Sequence, residues 1–129
     1  MISEAQQSIN DLDADLEEDG EYITLRRVIG SGSNTSNVDC QKVPAAVRAF
    51  KPEELVGGIT QTDSQVIISP TVLRRKQWLP PASPSLPSFP WLPQINNKAI
   101  IQGRVRKISF MKPIVVGGEV VRIELVVAG

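Results

Sequence analysis

The stretch that decides the fold is VVGGEVVRIELVVAG, residues 115–129. Its Gly-Gly pair at 117–118 stands between two apolar runs, which predicts a tight turn between two strands. After this turn, apolar side chains alternate with mostly polar ones. The apolar set is Val121, Ile123, Leu125 and Val127, and the set between them is Arg122, Glu124 and Val126. One apolar face and one polar face are typical of a half-buried antiparallel strand, here of about nine residues.

Four other segments are rich in β-branched residues and are bounded by Gly or Pro turns, so they also predict strands. They are EYITLRRVIG (21–30), VDCQKVPAAVRAF (38–50), SQVIISPTVLRR (64–75) and KAIIQGRVRKISF (98–110). Pro44 predicts a break or an edge position in the second of these, because proline cannot donate to a ladder. Five or six short strands predict an all-β fold, a small antiparallel β-barrel or sandwich.

Two parts of the chain do not fit the strand pattern, and they divide it into an arm (1–20), a barrel domain (21–129) and a Pro-rich excursion (about 74–97). The arm holds a thin helical stripe of Ile9, Leu12 and Leu16, with Ser3 or Asp11 as a possible cap. Three apolar residues bury little surface, so we expect the arm to be disordered alone and helical against a partner.

The excursion predicts an extended, polyproline-like loop with no core of its own, because residues 80–93 hold six of the ten prolines. It also carries Trp78, Phe89 and Trp91. Exposed aromatic residues in a long loop favour contact with another protein. The alternative is that the tryptophans fold back over the core of their own domain.

Several functional classes are disfavoured by composition. The chain has no histidine and a single cysteine, Cys40, which excludes His-based catalysis, an internal disulfide and a cysteine-cluster metal site. The adjacent carboxylates Glu53 and Glu54 would point in different directions, so no catalytic pair is indicated. We therefore predict a protein that is not an enzyme and takes no cofactor. No apolar run approaches the roughly 20 residues of a membrane span, which predicts a cytosol-like compartment.

The charges are divided unevenly along the chain, although the formal net charge is zero. Residues 1–21 contain eight acidic residues and no basic one, and the remaining 108 residues contain all 14 Lys and Arg and only six acids. Such an asymmetry favours either a polyanion partner or an acidic arm that docks on a basic surface. A solubilising tail is the simpler alternative.

The order of these segments resembles the head completion proteins of tailed bacteriophages, also called head-closure, stopper or head–tail joining proteins. The likeness covers about residues 21–73 and 95–129. The segment RAFKPEELVGGITQTDSQVIISP (48–70) carries most of it, and the closing hairpin around Gly117-Gly118 is its second element. The long excursion and the acidic arm depart from the family pattern.

The resemblance implies a structural virion protein at the head–tail interface, assembled in the host cytoplasm. Its subunits would form a homo-oligomeric ring, six- or twelve-fold, that continues the DNA channel, retains packaged double-stranded DNA and offers a docking surface for the tail. Its neighbours would be the portal or adaptor protein and tail or tail-terminator proteins, with no membrane involved.

The resemblance also assigns roles to particular positions. The loop after the second strand would point into the channel and gate it, with candidate residues Lys51, Glu53, Glu54, Gly57 and Gly58. The candidate basic residues for the channel are Arg48, Arg74, Arg75, Lys76, Arg104, Arg106 and Lys107. Trp78, Phe89 and Trp91 are candidate contacts between subunits. The basic side chains have an alternative role, in ion pairs with acids of neighbouring subunits.

Three other functions stay open at this point. A tail-terminator or other neck subunit would also be a small ring-forming protein. A β-barrel that binds single-stranded nucleic acid would need aromatic side chains on a basic sheet face. A scaffold module with P-x-x-P spacings in PPASPSLPSFP (80–90) is the weakest alternative, because such spacings are common in any Pro-rich loop.

Overall fold

In a computed structural model, the described residues form a closed β-barrel with one long and one short helix. The structure describes residues 2–29, 32–33, 35–50, 53, 55, 57, 59, 62–76, 78 and 91–129. Its elements are α1 (Glu4–Asp19), β1 (Glu21–Ile29), β2 (Ser36–Ala49), β3 (Ser64–Ile68), α2 (Pro70–Lys76), β4 (Lys98–Ile101), β5 (Arg104–Val116) and β6 (Glu119–Val127).

The six strands form one antiparallel sheet in the order β1-β2-β3-β6-β5-β4, and β4 pairs with β1 to close it. Closure leaves the described sheet without an edge strand, because β4 pairs with β1 as well as with β5. The predicted all-β class and the antiparallel barrel are confirmed. The closing hairpin is also as predicted, with a turn at 117–118 and a strand of nine residues.

The core fills the inside of the barrel, and β6 shows how the alternation places it there. Ile123, Leu125 and Val127 point inward and are at most 1% exposed. A register shift opposite Ile114 and Val115 interrupts the alternation, so that Val120 joins the core and Val121 packs outside, against α1. A single bulge therefore gives this strand apolar contacts on both faces.

The prediction for the arm was wrong in one respect, because residues 4–19 form a helix that packs on the chain's own barrel. Ser3 caps it as predicted, with its Oγ accepting from the N–H of Gln6 at 3.0 Å. The buried residues of α1 are Ala5, Ile9 and Leu16. The β5–β6 hairpin supplies the apolar surface that the thin stripe lacks by itself.

The predicted third strand is also corrected, since β3 stops at Ile68 and α2 begins at Pro70. Proline cannot donate to a ladder but suits the first position of a helix, so the same residue ends the strand and starts α2. The segment 98–110 is divided as well, by a two-residue turn at Gln102 and Gly103, which both have positive φ.

Within the part of the chain that the structure describes, no helix is long and apolar enough to cross a bilayer.

Candidate functional site

The connections of an antiparallel barrel alternate between its two ends, which separates the candidate residues spatially. One end, here called the loop end, holds the segment 50–63 between β2 and β3, the turn at 102–103 and residues 128–129. The opposite end holds the β1–β2 connection at 30–35 and the turn at 117–118.

The predicted channel loop leaves the barrel at the loop end, and only part of it is described. Lys51, Glu54 and Gly58 lie outside the described residues. Glu53 is exposed in a short 3₁₀ turn, and Gly57 has φ +57°, a left-handed conformation that favours glycine. Gly57 and Ile59 border a groove on the outer face of β5 and β6.

The C-terminal root of this loop is held by Arg106, a predicted channel residue with a structural role. Its Nε donates to the carbonyl of Ala128 at 2.7 Å, and its other nitrogens donate to Ser64 Oγ and to the carbonyl of Thr62 at 3.0 Å. Burial and the charge of Arg104 lower the pKa of Arg106. The N–H of the last residue donates to Asp63 Oδ1 at 3.1 Å, so the loop and the chain end are joined.

The other predicted basic residues do not form one cluster. Arg48 and Arg104 are exposed near the loop end, and Lys107 is exposed on β5. The last turn of α2 carries Arg74, Arg75 and Lys76, and Lys76 Nζ donates to the carbonyl of Gln41 at 2.6 Å. Cations in the last helical turn also complement the helix dipole, which gives these three residues a structural role.

Trp78, one of the three predicted contacts between subunits, has a different position from the one expected for such a contact. Trp78 is 3% exposed and belongs to the core, so its ring is not available to a neighbouring subunit. Trp91 is half-buried against the same core, and Phe89 lies outside the described residues. For Trp78, the structure therefore has the alternative arrangement, in which the ring covers the core of its own domain.

Trp78 is held by a buried arginine that the sequence pattern did not single out. The guanidinium of Arg27 lies 4.0 Å from the Trp78 ring centroid, within the range of a cation–π contact, and donates to the carbonyl of Leu92. Trp78 Nε1 donates to the carbonyl of Val38 at 2.9 Å. Burial lowers the pKa of Arg27 to about 10. These contacts fasten both ends of the excursion to the barrel.

A row of charged residues crosses four strands on the outer face of the barrel. Asp39, Arg26, Lys98 and Lys107 are successive cross-strand partners on β2, β1, β4 and β5. Arg26 donates to both carboxylate oxygens of Asp39 at 2.8 and 2.9 Å, and these hydrogen bonds hold the pKa of that carboxyl below its usual range. Among the described residues, no acid forms an ion pair with Lys98 or Lys107.

Apolar side chains surround this row. Thr24, Ile100 and Val105 form the neighbouring cross-strand row, and Val105 is 54% exposed. Tyr22 and Val28, at either end of the outward-facing positions of β1, are 69% and 50% exposed. We call this surface of β1, β4 and β5 the basic face. Sequence alone could show the alternation in each strand but not the pairing that brings the cations together.

The opposite side of the barrel is acidic. Helix α1 packs over β2 and β6, and β3 Ile67 lies beneath it beside Leu12 and Leu16. In the strand order, β3 is three positions from β4, so α1 and the basic face lie on opposite sides. The outward side of α1 contains no basic residue and carries an exposed stripe, here called the acidic stripe: Glu4, Asp11, Asp15 and Glu18.

The described residues indicate neither a nucleophilic thiol nor a metal site. Cys40 is 1% exposed in the core, and burial raises the pKa of its thiol. A buried, protonated thiol is a poor nucleophile. The residues that the structure describes contain no group of three or more His, Cys, Asp or Glu side chains that could hold a metal ion.

No protein-family model matches this chain, and a search of curated proteins found no match.

Proposed function

We propose that this chain is a structural protein of the phage neck, a ring-forming head-closure subunit. In this function it extends the portal channel, helps to retain packaged double-stranded DNA and provides a surface for tail docking. The proposal starts from the order of segments in 48–70 and 115–129 and is supported by the barrel in which those segments lie.

The observation that carries the proposal is the anchored loop at one end of a closed barrel. A channel subunit needs a loop that projects from a rigid base, since the base must stay in the ring while the loop meets DNA. Arg106 ties the root of the loop to the chain end, and Glu53, further along the loop, is exposed. Contact with DNA in a channel is electrostatic and independent of sequence, so a base-specific recognition pocket is not required.

A second function has one observation in its favour. Tyr22 and Lys107 are exposed on the basic face, and Lys98 is half-buried between them. An aromatic side chain on a basic sheet face is the arrangement used to bind single-stranded nucleic acid. A tail-terminator subunit differs from a head-closure subunit only in its place along the particle. The same experiment separates all three functions.

The experiment adds the purified full chain to DNA-filled, portal-bearing particles that lack it, followed by imaging of the vertex. A ring of density directly below the portal or its adaptor is expected. Binding to separately purified tails, with no density at the head vertex, would show a tail terminator instead. No binding to the particle, together with salt-sensitive binding of short oligonucleotides, would favour the nucleic-acid function.

The orientation of the loop is tested in the same particles by cross-linking. Glu53→Cys places a thiol on the loop, and Ser33→Cys places a matched, exposed thiol at the opposite end of the barrel. The buried Cys40 is a suitable silent background. With a thiol-linked photo-cross-linker, we expect covalent DNA adducts at position 53 in excess of those at position 33. Equal yields would contradict a loop that faces the channel.

A further inference from the structure

Two opposite sides of this molecule carry complementary charges, and on the basic face the cations outnumber the acids. The basic face places Arg26, Lys98 and Lys107 directly opposite one another on adjacent strands. Like charges in this position destabilise a sheet. Only Arg26 has a described acidic partner, Asp39. The row therefore retains unbalanced positive charge in the isolated chain.

We propose that the basic face of one copy binds the acidic stripe of α1 of a second copy. The stripe offers Glu4, Asp11, Asp15 and Glu18 from a helix without any basic residue. A helix laid across three strands would meet the cation row, and the aliphatic side chains around the row would pack on the exposed Ala14 between the acids. This inference names the partner surface of the ring in the proposed function and rests on that function for ring closure alone.

The charge distribution favours a second copy over a nucleic acid as the occupant. The chain has a net charge of zero and a pI of about 6.3, whereas a domain built to bind nucleic acid is usually strongly basic. Seven of its 14 acids lie on α1, on the side of the barrel opposite to the basic face. Two identical chains can thus neutralise each other, and the apolar part of the basic face is mostly aliphatic rather than aromatic.

The position of the two surfaces also determines the kind of assembly. In a two-fold dimer, the basic face and the acidic stripe of one copy would both have to contact the same partner. They lie on opposite sides of the barrel, so this arrangement is not possible. Contacts of this type are head-to-tail, and they continue from copy to copy until the assembly closes as a ring. The contact is made by outward-facing side chains, since each of the six described strands already pairs with two neighbouring strands of its own chain.

The test uses two charge-reversed variants of the full chain, studied by sedimentation velocity at about 0.05 M and 0.5 M salt. Lys98→Glu with Lys107→Glu reverses the basic face, and Asp11→Lys with Asp15→Lys and Glu18→Lys reverses the acidic stripe. All five residues are exposed or half-buried on outer surfaces, so the fold is retained and is checked by circular dichroism. Each variant should weaken self-association about 100-fold at low salt, because like charges then face each other.

An equal mixture of the two variants provides the decisive result. The unchanged stripe of the first variant then meets the unchanged basic face of the second, and the two reversed surfaces also complement each other. Association should return to near the wild-type level in the mixture. Arg48→Glu with Arg74→Glu is a matched reversal outside both surfaces, and it should leave association unchanged.

Each alternative result overturns the inference. Wild-type chains that stay monomeric at low salt, variants that associate like wild type, or a mixture that does not recover would each exclude this contact. So would loss of oligonucleotide binding in the Lys98→Glu, Lys107→Glu variant while self-association stays intact, because the basic face would then be a nucleic-acid site.

Failure of this inference is distinguishable from failure of the proposed function. A normal ring at the vertex formed by either charge-reversed variant would leave head closure in place and reject the contact. Salt-sensitive head-to-tail association of a wild-type chain that never joins the vertex would leave the contact in place and reject head closure.

Discussion

At the scale of single residues, two neighbouring arginines show how much the face of a strand decides. Arg26 points outward, pairs with Asp39 and belongs to the row of charges on the basic face. Arg27 points inward, is 3% exposed and lies against the Trp78 ring. The two side chains are chemically identical, but one is a surface cation and the other is part of the core.

The buried tryptophan gives the first prediction. Trp78→Ala should lower the free energy of unfolding by about 3–5 kcal/mol, because it opens a large cavity and removes the ring beneath Arg27. Trp91→Ala is the matched control, and it should have a smaller effect because its ring is only half-buried. Urea unfolding of both variants measures the difference. A larger effect at Trp91 would contradict the position of Trp78 in the core.

At the scale of elements, α1 and its connection to β1 carry the main revision of the sequence prediction. Gly20 ends the helix, and its N–H donates to the carbonyl of Leu16 at 2.9 Å. A Cβ at this position would lie 2.5 Å from the Leu16 oxygen and 2.7 Å from the Ala45 oxygen. Both neighbours are backbone atoms that cannot rotate away, so glycine is required for the helix to approach β2.

Gly20→Ala should therefore cost about 2 kcal/mol of stability, as expected for overpacking against backbone. It should also raise amide hydrogen exchange across residues 4–19 more than across the barrel strands. Ala14→Gly, on the exposed side of the same helix, lowers helix propensity alone and should cost about 1 kcal/mol without loosening the whole helix. A smaller cost for Gly20→Ala than for Ala14→Gly would contradict the close packing.

At the scale of the whole molecule, Arg106 connects parts of the chain that are far apart in sequence. Arg106 lies on β5 and donates hydrogen bonds to the carbonyl of Thr62, just before β3, and to the carbonyl of Ala128, just after β6. A guanidinium can serve these acceptors together because its donors form a rigid planar fork, whereas a lysine ammonium cannot.

Arg106→Lys keeps the charge and removes the fork, so it tests this connection directly. Amide exchange at 62–64 and 127–129 should rise by about tenfold, as expected for losing one or two hydrogen bonds. Exchange in the β1–β4 pairing should stay unchanged. Arg104→Lys, an exposed neighbour on the same strand, is the control and should change neither region.

Much of the fold could be predicted from local patterns. Alternation with a period of two identified the closing strand, the Gly-Gly pair located its turn, and Ser3 was among the expected caps. These predictions succeed because each feature depends only on residues close to it in the sequence. Pro70 was misassigned, because proline is compatible with both the end of a strand and the start of a helix.

The sequence by itself determined the alternation along the closing strand, the position of the turn at 117–118 and the concentration of the acids in the first 21 residues. Only the tertiary structure decided that β4 pairs with β1, that α1 packs on its own barrel, and that Arg26, Lys98 and Lys107 form one row. The physical reason is that alternation defines a face but not a partner. The partner follows from burying these faces together, which depends on residues far apart in the chain, such as the paired Thr24 and Ile100 of β1 and β4 or the packed Ile9 and Val121 of α1 and β6.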